Sequence, residues 1–378
     1  MPCAQVFALF QPKPKCLEGF ARDAFGFLFS QLCVIEGRKA LRRRGVPEKY
    51  DLDIPEHMTR NQLLKYVETG DINFADYSWD INFYCCDIFL MDRFYFIPYR
   101  WGDDVTAWRS GKTGKVKALW KGGVKVRRDG QLDGVNGIFD SRAFTTVYEE
   151  TDQTVTANPV SPEGYILPNP VTLPKDEWRK ALQENDYLLA LHIPGGRGYT
   201  PERVKKSCQM ALAFYERYFP EYDYLGFWSE SWLYDPGLAR ILGPERNISR
   251  VQRQFYCYPT LEGDDMARRE VLHDPHGDYR QFTAKTTLEK GLFSAWDRGE
   301  RFPYHRHVPA QGGSAAGGQR SLPDGGVACD KKNCRQQAWV CLGNEAQRHI
   351  VYHVRPRAGA AAAAVLLSAD GRHVYGVY

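Results

Sequence analysis

The sequence predicts an α/β (α+β) protein, a mixed sheet flanked by helices and preceded by a helical-to-mixed N-terminal domain. Three observations carry that prediction. A strand, a glycine-rich loop, a helix and a second strand follow one another between Asp186 and Trp228. Short apolar runs broken by turn residues fill Val105 to Ile166, the texture of antiparallel strands and hairpins. Ala21 to Arg44 repeats apolar residues at helical spacing, with Phe25, Leu28, Phe29, Leu32 and Ile35 on one predicted face. The chain has 378 residues, enough for two domains with their own cores.

The first helix closes on Arg42-Arg43-Arg44 and Gly45, cations and a glycine where the helix dipole and C-cap favour them. A second helix is expected over Thr59 to Thr69, with Leu63, Leu64 and Val67 apolar. The apolar stretch Asp80 to Trp101 reads as a buried helix running into a strand over Phe94 to Tyr99. Val116–Trp120, Val124–Arg127, Phe144–Glu149 and Val155–Ala157 are then short strands, and the proline-rich run from Asn158 to Pro174 a connecting segment. Lys175 to Glu184 is expected to be a helix, with Trp178, Ala181 and Leu182 inward.

Asp186 to Ile193 is continuously apolar, which suits a central strand buried on both faces. Thr200 is a good N-cap and Pro201 fits the first helical position. Val204, Cys208, Ala211, Leu212, Tyr215 and Phe219 then line one face of a helix that ends before Pro220. A strand over Tyr224 to Trp228, parallel to the first, completes a βαβ unit. A short helix from Asp235 to Leu242 ends at Gly243, and Asn247 to Tyr258 reads as a further strand.

Composition narrows the function classes. Hydrophobic residues are 43% and charged residues 25%, with a net charge of +4, the balance of a soluble globular protein with no electrostatic claim on nucleic acid. No run of 18 apolar residues occurs, so no membrane span is expected. The N-terminus has no basic region before its apolar patch and no small-residue cleavage site, so no signal peptide is read. Cys33, Cys85, Cys86, Cys208 and Cys257 sit inside apolar segments, as reduced thiols do in cytoplasmic proteins.

The loop Leu191-His192-Ile193-Pro194-Gly195-Gly196-Arg197-Gly198-Tyr199-Thr200 carries the chemistry. It lacks the Gly-Lys-Ser/Thr of a nucleotide P-loop, since Tyr199-Thr200 follow Gly198, and it lacks the GxGxxG spacing of dinucleotide folds. A backbone bare of side chains that feeds a helix N-terminus can still offer its N–H groups to an anion. One or two glycines would satisfy a tight turn; three, with Arg197 among them, favour a bound phosphate group. Weaker constellations are Glu262-Gly263-Asp264-Asp265, a solvated acidic turn, and His273-Asp274-Pro275-His276, which has no evident third metal ligand. Cys329, Cys334 and Cys341 lack zinc-site spacing. No metal is expected. From His307 onward, glycine pairs and the alanine run Ala360–Ala364 replace patterned segments. Residues 307–318 can be encoded so that a shift of one nucleotide yields an ordinary loop-and-helix ending, and the preferred reading of this tail is out-of-frame translation without function.

The strand, glycine-rich loop, helix and diverging strand resemble the acyl-CoA half of the GNAT superfamily of N-acetyltransferases. The segments LHIPGGRGYTPE, FWSESWLYDPGL, RILGPERNISRVQRQF and NPVSPEGYI are similar to the GNAT-like C-terminal domain of bacterial acyltransferase-domain proteins. That family pairs this domain with an N-acyltransferase N-terminal domain. The resemblance covers about Ala21 to Tyr304 and places the two domains over residues 21–156 and 157–304, after a poorly defined 1–20 and before the atypical tail of 305–378. It implies acetyl-CoA or another acyl-CoA as co-substrate and a small-molecule or peptide amine as acceptor. The backbone of Gly195, Gly196, Arg197 and Gly198, with Tyr199 and Thr200 at the helix start, would hold the pantetheine pyrophosphate. A backbone N–H near His192 or Ile193 would meet the thioester carbonyl, since Pro194 cannot donate. Pro194 stands where the family has a basic or amide residue. Tyr234 would protonate the departing sulfur, with Ser231 as second donor, and Glu230 would take the amine proton. His192 is a further candidate base, though a core histidine suits its position as well. A catalytically silent acyl-CoA-binding or protein-interaction module of the same fold, and a phosphate- or sugar-phosphate-binding protein, remain the alternatives.

Overall fold

In chain order the elements are α1 (Gly19–Arg43), α2 (Tyr77–Tyr84), β1 (Phe89–Met91), β2 (Phe94–Arg100), β3 (Val105–Ser110), β4 (Val116–Trp120), β5 (Lys125–Val126), β6 (Phe144–Thr145), β7 (Tyr148–Glu150) and β8 (Thr154–Ala157). There follow β9 (Pro159–Val160), β10 (Val171–Pro174), β11 (Trp178–Leu182), β12 (Tyr187–His192), α3 (Pro201–Tyr218), β13 (Tyr224–Trp228), α4 (Pro236–Leu242), α5 (Asn247–Gln252), α6 (Asp265–Leu272) and α7 (Thr287–Asp297). The computed structural model describes residues 15–51, 54, 60, 64, 66–67, 69–71, 77–102, 104–260, 265–273 and 277–302, with four two-residue strands beyond residue 338. The architecture is mixed α/β, helices flanking antiparallel and mixed sheets.

Two units divide the chain. The first comprises the described residues up to Tyr99, Tyr187–Asp223 and Phe227–Ser229. The four-stranded sheet of order β1-β2-β12-β13 gives this unit β1, β2 up to Tyr99, β12 and the end of β13 from Phe227. The amphipathic helix α3 buries Val204, Cys208, Ala211, Leu212, Phe214 and Tyr215. The Tyr215 hydroxyl donates to the Phe96 carbonyl at 2.8 Å, and Phe89 meets Phe214 with ring centroids 4.6 Å apart.

Helix α1 forms where the periodicity places it but turns a different face inward. Ala24, Ser30, Val34 and Leu41 are buried, while Leu28, Leu32 and Ile35 are exposed. The reason is close approach: a Cβ on Gly37 would lie 2.8 Å from Cys86 Sγ, so the side with small residues is the one that fits. The basic run at its end is structural. Arg38 and Arg42 converge at 3.0 Å on Asp51, whose side chain is fully buried, and Arg44 pairs with Glu221 at 2.7 Å. The stretch after Asp80 differs from expectation too. Helix α2 stops at Tyr84, and a β1–β2 hairpin follows, its turn made by Asp92 at φ 58° and Arg93. Most of the helix expected over Thr59 to Thr69 lies outside the described residues.

The second unit comprises Arg100–Asp186, Tyr224–Gly226 and residues from Glu230 onward. It holds a four-stranded sheet of order β11-β3-β4-β9, a three-stranded sheet of order β10-β8-β7, and the pair β5-β6. One core joins Trp108, Leu119, Val155, Ala157, Leu173 and Trp178. Another joins Trp232, Leu238, Tyr279, Leu292, Trp296 and Phe302.

Three expectations are corrected in this unit. Lys175 to Glu184 is not a helix: β11 pairs antiparallel with β3, Trp178 opposite Ser110 and Lys180 opposite Trp108. Tertiary contacts override the helical composition here. Trp178 is buried, Glu177 takes Lys112 at 3.0 Å, and Lys175 and Lys180 lie over the Trp108 ring at 5.9 and 5.3 Å. Asn247 to Tyr258 is not a strand; it begins with helix α5, because Ser249, Val251 and Gln252 all turn inward at helical spacing. The segment from Asn158 to Pro174 is also more than a connection, contributing β9 and β10.

No helix among the described residues is long and apolar enough to cross a membrane. Cys16, Cys208 and Cys257 are free thiols.

Candidate functional site

The loop between β12 and α3 lies within the first unit. Thr200 caps α3 as its composition predicts, its hydroxyl accepting from the Arg203 N–H at 3.3 Å. Gly196 and Gly198 adopt φ of +98° and +99°, a region open to glycine and strained for other residues. Gly195 is different. Its φ is not positive, and a Cβ there would meet nothing within 4 Å, so the turn itself does not require glycine at that position. Space above the loop is left open at Gly195 and Gly196.

Arg93, from the β1–β2 turn, organises this loop. Its Nη2 donates to the carbonyls of Pro194 at 2.6 Å, Gly195 at 3.1 Å and Gly196 at 3.1 Å, and its Nε to the carbonyl of Arg197 at 2.9 Å. One guanidinium thus gathers four consecutive carbonyls. In a trans peptide the N–H of the next residue points opposite to the carbonyl. The N–H groups of Gly195, Gly196, Arg197 and Gly198 are therefore turned away from Arg93, and no acceptor among the described residues takes them. The neighbouring Asp92 anchors the same hairpin tip on α3, meeting Arg203 at 2.9 Å and Lys206 at 2.6 Å. Those two cations hold its carboxyl below the usual range. Sequence reasoning missed both residues. The available signal was the Asp92-Arg93 pair set between two apolar runs, a turn signature.

The candidate catalytic residues distribute over both units. His192 closes β12 in the first unit, its ring 4.8 Å from that of Trp79. Burial pushes its pKa from 6.5 down to about 4, so the imidazole is neutral near pH 7 and a weak base. The unfolded chain takes up this proton from pH 6.5 downward and the folded one only near pH 4. The stability held above pH 6.5 is therefore lost as pH falls through that window. A His192→Gln variant is expected to show a flatter denaturant-midpoint profile there than the parent; parallel profiles would refute the assignment.

Glu230, Ser231 and Tyr234 belong to the second unit. Ser231 caps the short 3-10 turn Trp232–Tyr234, its Oγ accepting from the Leu233 N–H at 3.1 Å. Tyr234 is buried, its ring edge-on to Phe255 at 5.1 Å. Gln252, a residue the strand reading of its segment hid, donates from Nε2 to the carbonyls of Leu233 and Asp235 at 2.8 Å each. It fixes the backbone on either side of Tyr234. Ile193 and Tyr199 flank the glycines, and Tyr199 meets Phe94 at 6.0 Å.

Among the described residues no group of three His, Cys, Asp or Glu side chains could hold a metal ion. The acidic turn at 262–264 and residues 274–276 lie outside them.

Comparison with known proteins gives the following. The family model for a GNAT-like C-terminal domain matches residues 129–306. No curated relative matches the chain. Among solved structures, an acyltransferase in complex with decanoyl-CoA and teicoplanin is similar over 76% of this chain at 16% identity, with a TM-score of 0.45. An acyltransferase mutant in complex with octanoyl-CoA is similar over 78% of this chain at 15% identity, with a TM-score of 0.47. An acyltransferase in complex with decanoyl-CoA alone is similar over 76% at 18% identity, with a TM-score of 0.45. The chain spans 65%, 68% and 65% of the lengths of those three proteins.

Proposed function

For a chain whose residues 129–306 match the family model of a GNAT-like C-terminal domain, we propose an acyl-CoA-dependent N-acyltransferase. It binds the pyrophosphate of its acyl-CoA on the Gly195–Gly198 loop and passes the acyl group to an amine of a small molecule or peptide. The domain assignment of the sequence analysis goes with this reading, an N-acyltransferase N-terminal-like domain over 21–156 ahead of a GNAT-like C-terminal domain over 157–304.

One observation supports it above the others: Arg93 draws four successive loop carbonyls to one side, which directs four N–H groups to the other at the N-terminus of an 18-residue helix. That arrangement fits a dianionic pyrophosphate, and the guanidinium beneath adds positive charge. The surplus glycine at 195 fits close approach by a ligand.

The residues then act as follows. The neutral amine attacks the thioester carbonyl carbon, forming a C–N bond. Glu230 accepts the amine proton, the C–S bond breaks, and the sulfur takes its electron pair and a proton from Tyr234, with Ser231 as second donor. A backbone N–H near His192 or Ile193 stabilises the oxyanion, a contribution of about 3–4 kcal/mol in other enzymes. His192 stays neutral throughout, consistent with its lowered pKa.

A thermal-shift series over acyl-CoAs of increasing length, with free CoA as control, tests binding. The midpoint is expected to rise with CoA and to rise further with the preferred acyl chain. No shift with any of them would refute the reading.

A further inference from the structure

A second site lies wholly within the second unit. A cavity of about 340 Å³ is lined by Arg127, Asp129, Asp235, Arg240, Glu300 and Arg301, with Leu132, Val135 and Ile138 forming an apolar wall. Its size falls in the range of small-ligand pockets.

Asp235 is the unusual member. It is 6% exposed, and its Oδ1 accepts from the Gly237 N–H at 2.7 Å. Among the described residues no cation forms an ion pair with it, and a buried carboxylate in that position lacks a countercharge. Burial accordingly pushes its pKa up to about 7, with Glu300 and Asp129 adding to the shift, while the Gly237 N–H and Arg240 act against it.

Arg240 is the solvent-facing member, its side chain 73% exposed. Its Nη2 stands 3.9 Å from Glu300 Oε2, whereas Arg127 is fully engaged by Asp129 at 3.2 and 2.9 Å. The carboxylate and the guanidinium flank one glycine. A Cβ on Gly237 would lie 2.7 Å from Asp235 Oδ1, 3.1 Å from Phe302 Cε1 and 3.2 Å from Arg240 Nη2, so glycine is what lets these two polar groups stand side by side at the cavity.

We propose that this cavity binds a small amino-acid-like zwitterion, its ammonium on Asp235, its carboxylate on Arg240 and its aliphatic part against Leu132, Val135 and Ile138. A bare anion would leave Asp235 without its countercharge, and a bare amine would leave Arg240 unused. The site stands independently of acyl transfer.

Calorimetric titration of L-leucine into the full chain tests it. Saturable binding is expected, with isoamylamine, which lacks the carboxylate, and N-acetyl-L-leucine, which lacks the ammonium, each weaker by roughly tenfold or more. Affinity for L-leucine rises as pH passes upward through neutrality, because Asp235 must be ionised to receive the ammonium. Asp235→Asn keeps the oxygen that caps α4 and removes the charge; it is expected to weaken L-leucine binding by roughly tenfold or more. Arg240→Gln, distant from any capping role, is expected to do the same. Absence of saturable binding by both L-leucine and L-valine overturns the proposal, as does unchanged affinity in Asp235→Asn and Arg240→Gln. Acyl-CoA binding measured on the same preparation reports separately on the transferase reading, so either can fail alone.

Discussion

Arg93→Ala is expected to weaken acyl-CoA binding roughly 100-fold, equivalent to about 3 kcal/mol, while changing the unfolding midpoint little. The asymmetry follows from where the bonds are made. Four carbonyls that Arg93 holds at 2.6–3.1 Å belong to a loop whose residues 195–197 are exposed, so water replaces the guanidinium in the free protein at small cost. The bound state is different, because each N–H that serves the pyrophosphate depends on the carbonyl behind it being turned away. Without Arg93 the loop must be ordered at the moment of binding, and the positive charge beneath it is gone. Arg93→Lys is expected to recover only a small share, since an ammonium cannot span four acceptors as a planar fork does. Gly196→Glu should abolish binding outright, combining a φ of +98° with a negative charge at the pyrophosphate. An acyl-CoA dissociation constant unchanged in Arg93→Ala, measured calorimetrically, would remove Arg93 and the loop geometry from the argument.

What the sequence made legible was local, and what it hid was long-range. The unit β12–loop–α3–β13 was readable because its signals lie within a few residues of one another. An uninterrupted apolar strand, glycines, a Thr-Pro helix start and an apolar stripe at helical spacing all match the structure, down to Thr200 accepting from Arg203. Arg93 lies 101 to 104 positions from the carbonyls it binds, and no local pattern marks such a pairing. Failure at Lys175–Glu184 has the same origin. Its composition favours a helix, yet pairing with β3 and burial of Trp178 decide otherwise. Asn247–Tyr258 shows the converse: alternating charge and apolarity read as a strand, although Ser249 and Gln252 turn inward on a helix and give Gln252 its two backbone acceptors. Helix α1 was legible as a helix but not in its orientation, since the close contact of Gly37 with Cys86 rewards small residues over the large apolar ones that periodicity selects.

Tyr234→Phe is expected to lower kcat by roughly 10²-fold or more with acyl-CoA affinity unchanged, the size typical of removing a positioned general acid. Glu230→Gln is expected to lower the same parameter, because the proton released as the C–N bond forms loses its acceptor. Release of CoA thiol measures both. Gln252→Leu provides the structural counterpart. It strips the donor from the carbonyls of Leu233 and Asp235, leaving two buried acceptors unmet at about 1–3 kcal/mol each. It should therefore lower both the unfolding midpoint and kcat, whereas Tyr234→Phe lowers kcat alone. The three profiles together separate an enzyme from a binding module of the same fold. A chain that is stabilised by acyl-CoA, yet releases no thiol with any amine offered, has retained the Arg93-ordered loop without the chemistry. If thiol is released at parental rates by Tyr234→Phe but not by Ser231→Ala, the proton comes from the serine. The capping bond from Leu233 to Ser231 Oγ leaves that hydroxyl hydrogen available to donate, which is why Ser231 is the residue to which the role would pass.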